Sequence, residues 1–369
     1  MDAGVACALT VRLLVLNCGS ATVKYRLYEG ARADALAQVA GATLDVDGEH
    51  RAALARILET LPWRPDAVGH RVVHGGTRLR APARITPEVE EEIRRLAVLA
   101  PLHNPPALAG IASARTLGVP MVACFDTAFH ATLPARAWRY ALPESLGAEI
   151  RRYGFHGLSH EYVTARYAEL AGEVAPTIVS LHLGGGCSAA AIRDGTCVDT
   201  SMGMGPLEGL VMGTRAGDVD PTVLLHLLRR GETVESLDRL LHRESGLAAL
   251  AGTSDMRRIL EREDEQARFA VELFCYRVRR YVGAYLAVLE GARAIVFTGG
   301  IGENAPQIRR KVCEGFGWAG LRLDETRNAA VREGRISEDE ARLHVWVVPT
   351  DEEALIARRT AELLGGAYS

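Results

Sequence analysis

Three short segments rich in small residues could bind phosphate: residues 17–22 (Asn-Cys-Gly-Ser-Ala-Thr), 182–188 (His-Leu-Gly-Gly-Gly-Cys-Ser) and 299–304 (Gly-Gly-Ile-Gly-Glu-Asn). Phosphate binding needs backbone N–H groups directed at the anion, and small residues let the backbone approach it closely. None of the three has the spacing of a P-loop, so that architecture is excluded. A single such loop is usually only a tight turn. Three in one chain indicate a site for a phosphorylated ligand.

The first two loops lie in two segments with the same pattern. In each, a predicted strand is followed by a turn of small residues and then by a second predicted strand. Residues 13–17 and 178–183 are apolar runs, and alternating runs follow each loop, the later one turning at Asp194-Gly195. Asp-Gly between two such runs predicts a two-residue hairpin turn. A dinucleotide fingerprint is disfavoured, because that motif continues into a helix. We therefore predict two structurally similar halves, the second beginning near residue 130.

Helices are predicted between and after these strands, which gives an α/β class. Residues 265–289 form a long helical pattern, and Pro87 opens an earlier helix. Only the third loop precedes a helix, for which Asn304 is the predicted N-cap. Thr350 and Glu353 fit a capping box at the start of the last helix.

Composition limits the classes of function. A chain of 369 residues predicts about two domains, and a net charge of −3 gives no reason to expect a nucleic-acid partner. No long uncharged apolar run predicts a membrane span. The seven cysteines are an odd number without a C-x-x-C pair, which disfavours a disulfide framework or a zinc ribbon. The apolar start carries Asp2 where a signal peptide is basic, so we predict a cytoplasmic protein.

Longer motifs occur in order from about residue 12 to about residue 360. They are Asn17-Cys18-Gly19-Ser20, Gly69-His70-Arg71-Val72-Val73-His74-Gly75-Gly76, Pro101-Leu102-His103-Asn104-Pro105-Pro106, Phe125-Asp126-Thr127-Ala128-Phe129-His130, Tyr153-Gly154-Phe155-His156-Gly157, Pro206-Leu207-Glu208-Gly209-Leu210, Met212-Gly213-Thr214-Arg215, Gly299-Gly300-Ile301-Gly302-Glu303-Asn304 and Thr350-Asp351-Glu352-Glu353. In their order and in their residues, these motifs resemble those of the acetate kinase family, which belongs to the superfamily of sugar kinases and actin.

The resemblance implies two similar actin-like (ribonuclease H-like) domains with a nucleotide cleft between them. It places residues 1–130 with 354–369 in the first domain, and residues 131–353, with most nucleotide contacts, in the second. The implied reaction is reversible, Mg²⁺-dependent, in-line transfer of the ATP γ-phosphate to acetate, and relatives are homodimers. The acceptor is ionised at neutral pH, so fixed positive charge matters more than a general base.

By the same resemblance, Arg71 holds the acceptor carboxylate and Arg215 the charge of the transition state. Arginine suits both roles, because its planar fork stays charged and matches carboxylate or phosphoryl oxygens. His156 matches a donor to the transferred phosphoryl group, and Asp126 matches a catalytic position that orients substrate or metal. The histidines at 70, 74, 103, 130 and 160 are assigned no direct role.

The remaining matches concern the pocket, the nucleotide and the metal, with Mn²⁺ as an alternative ion to Mg²⁺. The apolar substrate pocket is predicted from Val73, Leu102, Phe155 and Pro206. The nucleotide residues are Ser20, Lys24, His182, Leu183, Gly184, Gly185, Gly186, Asp255, Met256, Arg257, Gly300, Ile301, Gly302, Glu303 and Asn304. The metal residues are Asn17 and Glu352, a small set that suits an ion retaining several waters.

This chain also departs from the family. Gly185 stands where Asn or Ala is usual, Ala21-Thr22 replace a Ser-Ser pair, and Asp351 replaces an Asn beside the predicted metal ligand. Because of these changes, a phosphoryl donor other than ATP remains an open alternative. Three other functions also remain open: a propionate or butyrate kinase, a non-catalytic actin-like nucleotide-binding protein, and an acyl-phosphate hydrolase.

Overall fold

The computed structural model describes residues 10–19, 21–46 and 49–365, and it contains two compact units. One unit is the chain up to Ala128 together with the chain from Asp351 onward, and the other is Phe129–Thr350. Ser20, a predicted nucleotide residue, lies outside the described residues. Within these ranges, no helix combines the length and the apolar character needed to cross a bilayer.

Strands and helices alternate along the described chain, which confirms the predicted α/β class. The strands are β1 (Val11–Cys18), β2 (Thr22–Gly30), β3 (Ala37–Asp45), β4 (Ala67–Val72), β5 (Ala83–Arg84), β6 (Met121–Phe125), β7 (Ile178–Leu183), β8 (Cys187–Arg193), β9 (Thr196–Thr200), β10 (Ala294–Thr298), β11 (Gly334–Arg335) and β12 (His344–Val347). The helices are α1 (His50–Glu59), α2 (Pro87–Arg95), α3 (Asn104–Ala114), α4 (Ala135–Trp138), α5 (Gly157–Ala171), α6 (Pro221–Arg229), α7 (Val234–Arg243), α8 (Gly246–Ala251), α9 (Met256–Leu260), α10 (Glu265–Leu289), α11 (Gly299–Asn304), α12 (Pro306–Cys313), α13 (Glu325–Ala330) and α14 (Glu352–Leu364).

The first unit is built on a mixed sheet of order β3-β2-β1-β4-β6-β5. β1 pairs antiparallel with β2 and parallel with β4, which is in turn parallel to β6. The apolar run at residues 13–16 of β1 is buried, as expected for a central strand. α14 crosses this sheet closely at Gly69, where an added Cβ would lie 2.5 Å from Thr360 Oγ1. A side chain at position 69 would therefore push α14 away from β4.

The second unit repeats this arrangement in a sheet of order β11-β12-β10-β7-β8-β9. β7 and β8 form a hairpin around residues 184–186, and β10 and β12 continue the sheet in parallel with β7. The β8–β9 turn has positive φ angles at Asp194 (51°) and Gly195 (74°), the conformation that Asp-Gly favours in hairpins. Strands β1, β2, β3, β4, β6 and β5 thus correspond to β7, β8, β9, β10, β12 and β11. The predicted similarity of the two halves is confirmed.

Two predicted helix starts are wrong. The segment 299–304 is itself helix α11, and the N-cap of α12 is Ala305 rather than Asn304. The last helix is capped by Asp351, whose Oδ1 accepts from the Ala354 N–H at 2.9 Å, so the predicted capping box does not form. In the first place the predicted loop is itself helical, and in the second Lys24 and Asn17 bind the Glu353 carboxylate, neither of which local spacing shows.

Burial sets the state of several thiols and imidazoles. Cys18 and Cys187, next to the first two glycine loops, are buried, and burial raises the pKa of each to about 12. Both are therefore thiols that fill space. Burial also lowers the pKa of His70 to about 3 and of His130 to about 4, and it lowers the pKa of His160 well below its ordinary value. These three imidazoles are neutral in the folded protein.

We predict that the protein loses stability as the pH falls below about 6.5. Because the folded-state pKa values of the three histidines are lowered, the unfolded chain binds more protons below the ordinary histidine pKa. Full stability is therefore present above that pKa, and about 1.4 kcal/mol per pH unit is lost for each histidine. Denaturant unfolding at about pH 7.5 and about pH 5.5 measures the loss, in a range where carboxylates with ordinary pKa values remain ionised. Equal unfolding midpoints at the two pH values would contradict the prediction.

Candidate active site

In the first unit, Arg71 and Asp126 form a bidentate ion pair at one edge of the sheet. Arg71 lies near the end of β4, and Asp126 follows β6 directly, so parallel strands bring the two together. Arg71 Nε and Nη2 donate to Asp126 Oδ1 and Oδ2 at 2.9 and 2.7 Å. Burial alone would lower the pKa of Arg71, but Asp126 and Glu352 more than offset it, and the pKa is raised. Arg71 is a permanent cation oriented by Asp126.

Polar groups from β1, β2 and α14 surround this pair. Asn17 Oδ1 and Glu352 Oε2 each lie 3.4 Å from Arg71 Nη1. Asn17 also donates through Nδ2 to Glu353 Oε1 at 2.8 Å, and Lys24 Nζ lies 3.3 Å from the same oxygen. Burial alone would raise the pKa of Glu353. Lys24 and Asn17 lower this pKa by more than burial raises it, so the carboxylate is ionised. Local spacing predicts only a capping role for Glu353, whereas in the structure its carboxylate orients Asn17.

The predicted metal residues, Asn17 and Glu352, lie in this same cluster because both contact Arg71. Their donor atoms are a carboxamide oxygen and a carboxylate, which suit a hard ion such as Mg²⁺. Among the residues that the structure describes, no group of three or more His, Cys, Asp or Glu side chains could hold a metal. The donors present therefore fit an ion that takes most of its ligands from water and phosphate oxygens.

In the second unit, His156 stands at the start of α5 in a strained backbone conformation. Its φ of 56° is in the left-handed region, which a non-glycine residue adopts only when the surroundings enforce it. His156 Nδ1 lies 3.0 Å from Ser188 Oγ on β8, and its ring stacks on His182 with centroids 4.3 Å apart. Both ring partners belong to the β7–β8 hairpin. The imidazole is thus fixed beside the glycine turn at 184–186.

Arg215 lies beside the same turn, in an electrostatic setting opposite to that of Arg71. Its Nη1 donates to the carbonyl oxygen of Pro206 at 2.6 Å, and burial lowers its pKa. Within the described chain, no carboxylate forms an ion pair with it. A Cβ added at Gly186 would lie 2.7 Å from Arg215 Nη2 and 3.1 Å from His156 Nε2. Glycine at 186 is therefore what lets the guanidinium and the imidazole approach one point of the turn.

A cavity of 780 Å³ in the second unit gathers most of the predicted nucleotide residues. Its lining includes Gly184, Gly185, Asp255, Met256, Arg257, Gly300, Ile301 and Asn304. A Cβ at Gly185 would meet nothing within 4 Å, so the Asn or Ala that the family resemblance leads us to expect there would have room. Asp255 caps α9 and forms a bidentate pair with the exposed Arg257. The volume suits a ligand of nucleotide size.

Other predicted residues contribute differently. Glu303 Oε1 accepts from the backbone N–H groups of Gly299 and Thr350 at 2.9 and 3.2 Å, so its carboxylate holds the turn after β10. The buried Arg309 donates to the carbonyl oxygens of Gly302 and Glu303. His182 and Leu183 end β7, directly before the glycine turn. Four predicted pocket residues divide between the units, with Val73 and Leu102 in the first and Phe155 and Pro206 in the second.

Sequence reasoning missed several side chains that support these sites. Ser254, Leu260 and Gln307 also line the cavity, and Ser188 and His160 contact each other beneath His156. Two signals could have indicated the last pair. His156 and His160 are four residues apart at the start of a helix, which places them on one face. Ser188 lies directly opposite His182 across the β7–β8 hairpin, as its short loop requires.

Several known proteins are similar to this chain in sequence and in fold. A sequence model of the Acetokinase family matches residues 47–358. An acetate kinase of Chloroherpeton thalassium is 46% identical over 409 residues, covering 95% of this chain and 98% of the relative. The crystal structure of an acetate kinase from Porphyromonas gingivalis has a TM-score of 0.85 at 39% identity, covering 96% of this chain and 100% of that one. A propionate kinase from Francisella tularensis subsp. tularensis has a TM-score of 0.86 at 34% identity, covering 95% and 99%. The match over most of the chain shows that it belongs to the acetokinase family.

Proposed function

We propose that this protein is an acetate kinase, which transfers the γ-phosphoryl group of ATP reversibly to acetate and forms acetyl phosphate and ADP. Family membership supports the reaction class. The single observation that carries the proposal is the state of Arg215. It is a guanidinium largely removed from water, without a carboxylate partner in the described chain, beside a glycine turn and an imidazole. Such a cation needs an anion, and a transferring phosphoryl group supplies one.

The proposed step needs no proton transfer. A carboxylate oxygen of acetate attacks the γ-phosphorus, an O–P bond forms, and the bond from the γ-phosphorus to the β,γ-bridging oxygen breaks as ADP leaves. The obstacle is repulsion between two anions, so fixed donors and positive charge supply most of the catalysis. Arg71 binds the acetate carboxylate, while Arg215 and His156 stabilise the charge on the phosphoryl oxygens. Asp126 acts through Arg71, since both of its oxygens are occupied by that guanidinium.

The remaining parts of the site follow from the same chemistry. Asn17 and Glu352 would hold Mg²⁺, or Mn²⁺, which would neutralise phosphate charge when bound. The 780 Å³ cavity binds the adenosine part of ATP or ADP. The apolar side chains proposed to contact the methyl group of acetate are those of Val73, Leu102, Phe155 and Pro206. A cytoplasmic location agrees with the six described cysteines, all of which are buried and free of disulfides.

A coupled assay in both directions tests the proposed function. Acetate with Mg-ATP should give acetyl phosphate, and acetyl phosphate with Mg-ADP should give ATP. Propionate should be a poorer substrate and butyrate poorer still, since each added methylene changes kcat/KM by about 10- to 200-fold. Faster turnover of propionate would instead favour a propionate kinase, the activity named for the relative from Francisella tularensis. Phosphate release from acetyl phosphate without ADP would contradict the proposal.

Replacing Arg215 by Ala should separate activity from stability. We expect kcat/KM to fall about 100- to 1000-fold, the range seen when one donor to developing negative charge is removed. The free energy of unfolding should not fall, because the variant loses a half-buried cation that no carboxylate of the described chain neutralises. By contrast, Arg71→Ala should lower both quantities, since it leaves the buried Asp126 unpaired. Steady-state kinetics and denaturant unfolding of both variants measure the difference.

The control for both arginines is Arg310→Ala, which removes an exposed guanidinium paired with Glu325. Its kinetics and stability should match those of the unaltered protein. Near-normal turnover of folded Arg215→Ala would rule out a transition-state role for this residue.

We also propose that the protein is a homodimer that buries α6. This helix has no buried residue, and Val223, Leu225 and Leu228 are 46%, 50% and 42% exposed. Large apolar side chains clustered on one exposed helix indicate a protein–protein contact.

Light scattering should therefore give twice the chain mass of 39.8 kDa. The double change Leu225→Asp and Leu228→Asp should give monomers, because charge opposes burial of the helix. Val174→Asp alters an isolated, fully exposed side chain and should leave the dimer intact. A monomeric unaltered protein would contradict the proposal.

A further inference from the structure

Behind His156, four side chains form a continuous chain of hydrogen bonds within the second unit. Ser180 Oγ lies 2.8 Å from His160 Nδ1, His160 Nε2 lies 2.7 Å from Ser188 Oγ, and Ser188 Oγ lies 3.0 Å from His156 Nδ1. Ser180, His160 and Ser188 are completely buried. The order of the protons along this chain decides which nitrogen of His156 carries a hydrogen.

His160 fixes the number of available protons. Burial lowers its pKa well below the ordinary value, so the ring is neutral. A neutral imidazole has one N–H donor and one lone pair. One of its two serine neighbours must therefore donate to it, and the other must accept from it. Along the whole chain, two proton orders satisfy this condition and also give the Ser188 hydrogen an acceptor.

In the first order, Ser180 donates to His160 Nδ1, His160 donates through Nε2 to Ser188, and Ser188 donates to His156 Nδ1. Every donor hydrogen then has an acceptor, and the neutral His156 ring carries its proton on Nε2. In the reverse order, His160 Nδ1 donates to Ser180. The Ser180 hydroxyl has no other hydrogen-bond partner within the described chain, so its hydrogen would be buried without an acceptor. Such a donor costs free energy, and the first order is favoured.

We propose that the Ser188 hydroxyl is a positioning group that holds the ring proton of His156 on Nε2. The inference rests on the proposed function, because a proton on Nε2 matters only if that nitrogen donates to a phosphoryl oxygen. Nε2 and the adjacent Cε1 both lie 3.1 Å from the Cβ position at Gly186, so this side of the ring faces the glycine turn. With the opposite tautomer, a lone pair on Nε2 would face the phosphoryl oxygens and repel them. Ser188 thus acts on the reaction through His156 without contacting the substrate.

Three further contacts hold the ring in the plane that this proton order requires. His182 stacks on His156 at an interplanar angle of 27°, and Ser159 Oγ lies 2.8 Å from His182 Nδ1. The peptide that precedes His156 is held by His130, whose Nε2 lies 3.0 Å from the carbonyl oxygen of Phe155. With the ring and backbone held this way, the Ser188 hydroxyl is the contact that selects the tautomer.

The test is the ring tautomer of His156, read from two-bond proton–nitrogen NMR correlations of the full chain labelled with ¹⁵N-histidine. Spectra are recorded at about pH 8, above the ordinary histidine pKa, and His156→Gln assigns the signals. We expect a protonated Nε2 and an unprotonated Nδ1 in both His156 and His160. In Ser188→Ala, the His156 signals should shift toward a mixture of tautomers. A protonated Nδ1 on His156 in the unaltered protein would overturn the proposal.

Kinetics provide a second readout. Ser188→Ala should lower kcat about 10- to 100-fold, the size of effect found when the partner that orients a functional imidazole is removed, with KM for acetate and ATP nearly unchanged. Ser188→Cys keeps a weaker donor, so its kcat should lie between those of Ser188→Ala and the unaltered protein. Ser337→Ala is the matched control, because Ser337 is a buried serine of the same unit whose hydroxyl accepts from Val345 N–H instead of contacting an imidazole.

The possible failures can be told apart. Unaltered kcat and an unaltered tautomer in Ser188→Ala would overturn the positioning role. If Ser188→Ala does not fold, the tautomer of the unaltered protein and the kinetics of Ser188→Cys still decide the question. Absence of phosphoryl transfer by the unaltered protein would contradict the proposed function. In that case, NMR would still decide whether Ser188 sets the tautomer of His156.

Discussion

A guanidinium that loses water without gaining a carboxylate is costly, and Arg215 is in this state within the described chain. Burial lowers its pKa, and its Nη1 reaches only the carbonyl oxygen of Pro206. The fold tolerates this group because the surrounding loop is held by many other contacts. Glu208, for instance, binds both Arg152 and Tyr140 two residues after Pro206. An anion bound beside Arg215 would offset this cost. The glycine turn at 184–186 is where a phosphate would approach.

Arg71 shows the opposite solution. Asp126 occupies two of its donors, and Asn17 and Glu352 lie at the edge of hydrogen-bond distance from a third nitrogen. A cation held this tightly cannot rearrange, which suits the role proposed for Arg71 of binding a small carboxylate in one orientation. The surrounding carboxylates also reduce its net field, so binding remains reversible. The two arginines therefore have different electrostatic surroundings, although the sequence places each of them two residues from a glycine.

Much of the fold could be predicted from the sequence, because the decisive signals are local. The Asp194-Gly195 turn, the apolar strands and the long α10 follow from short-range patterns, and the repeated hairpin revealed the two similar halves. The capping predictions failed where tertiary contacts compete. Glu353 has the right spacing for a capping box, but Lys24 and Asn17, more than 300 residues away, bind its carboxylate instead. The gathering of cavity residues from α9, α11 and the β7–β8 turn likewise depends on which strands become neighbours, which no local pattern specifies.

The backbone at His156 shows how stability and function are related in this unit. A positive φ at a non-glycine residue is unfavourable, and it persists here because both sides of the residue are fixed. Gly154 before it has no room for a side chain, since an added Cβ would lie 2.7 Å from the ring of His130. After it, α5 begins at once, and its first turn carries His160 into a wholly buried position. Relaxing the strain would move the imidazole away from Ser188 and from Gly186 together. The strained residue, the hydroxyl and the glycine therefore form one constraint, and a change at any one of them alters the surroundings of the other two.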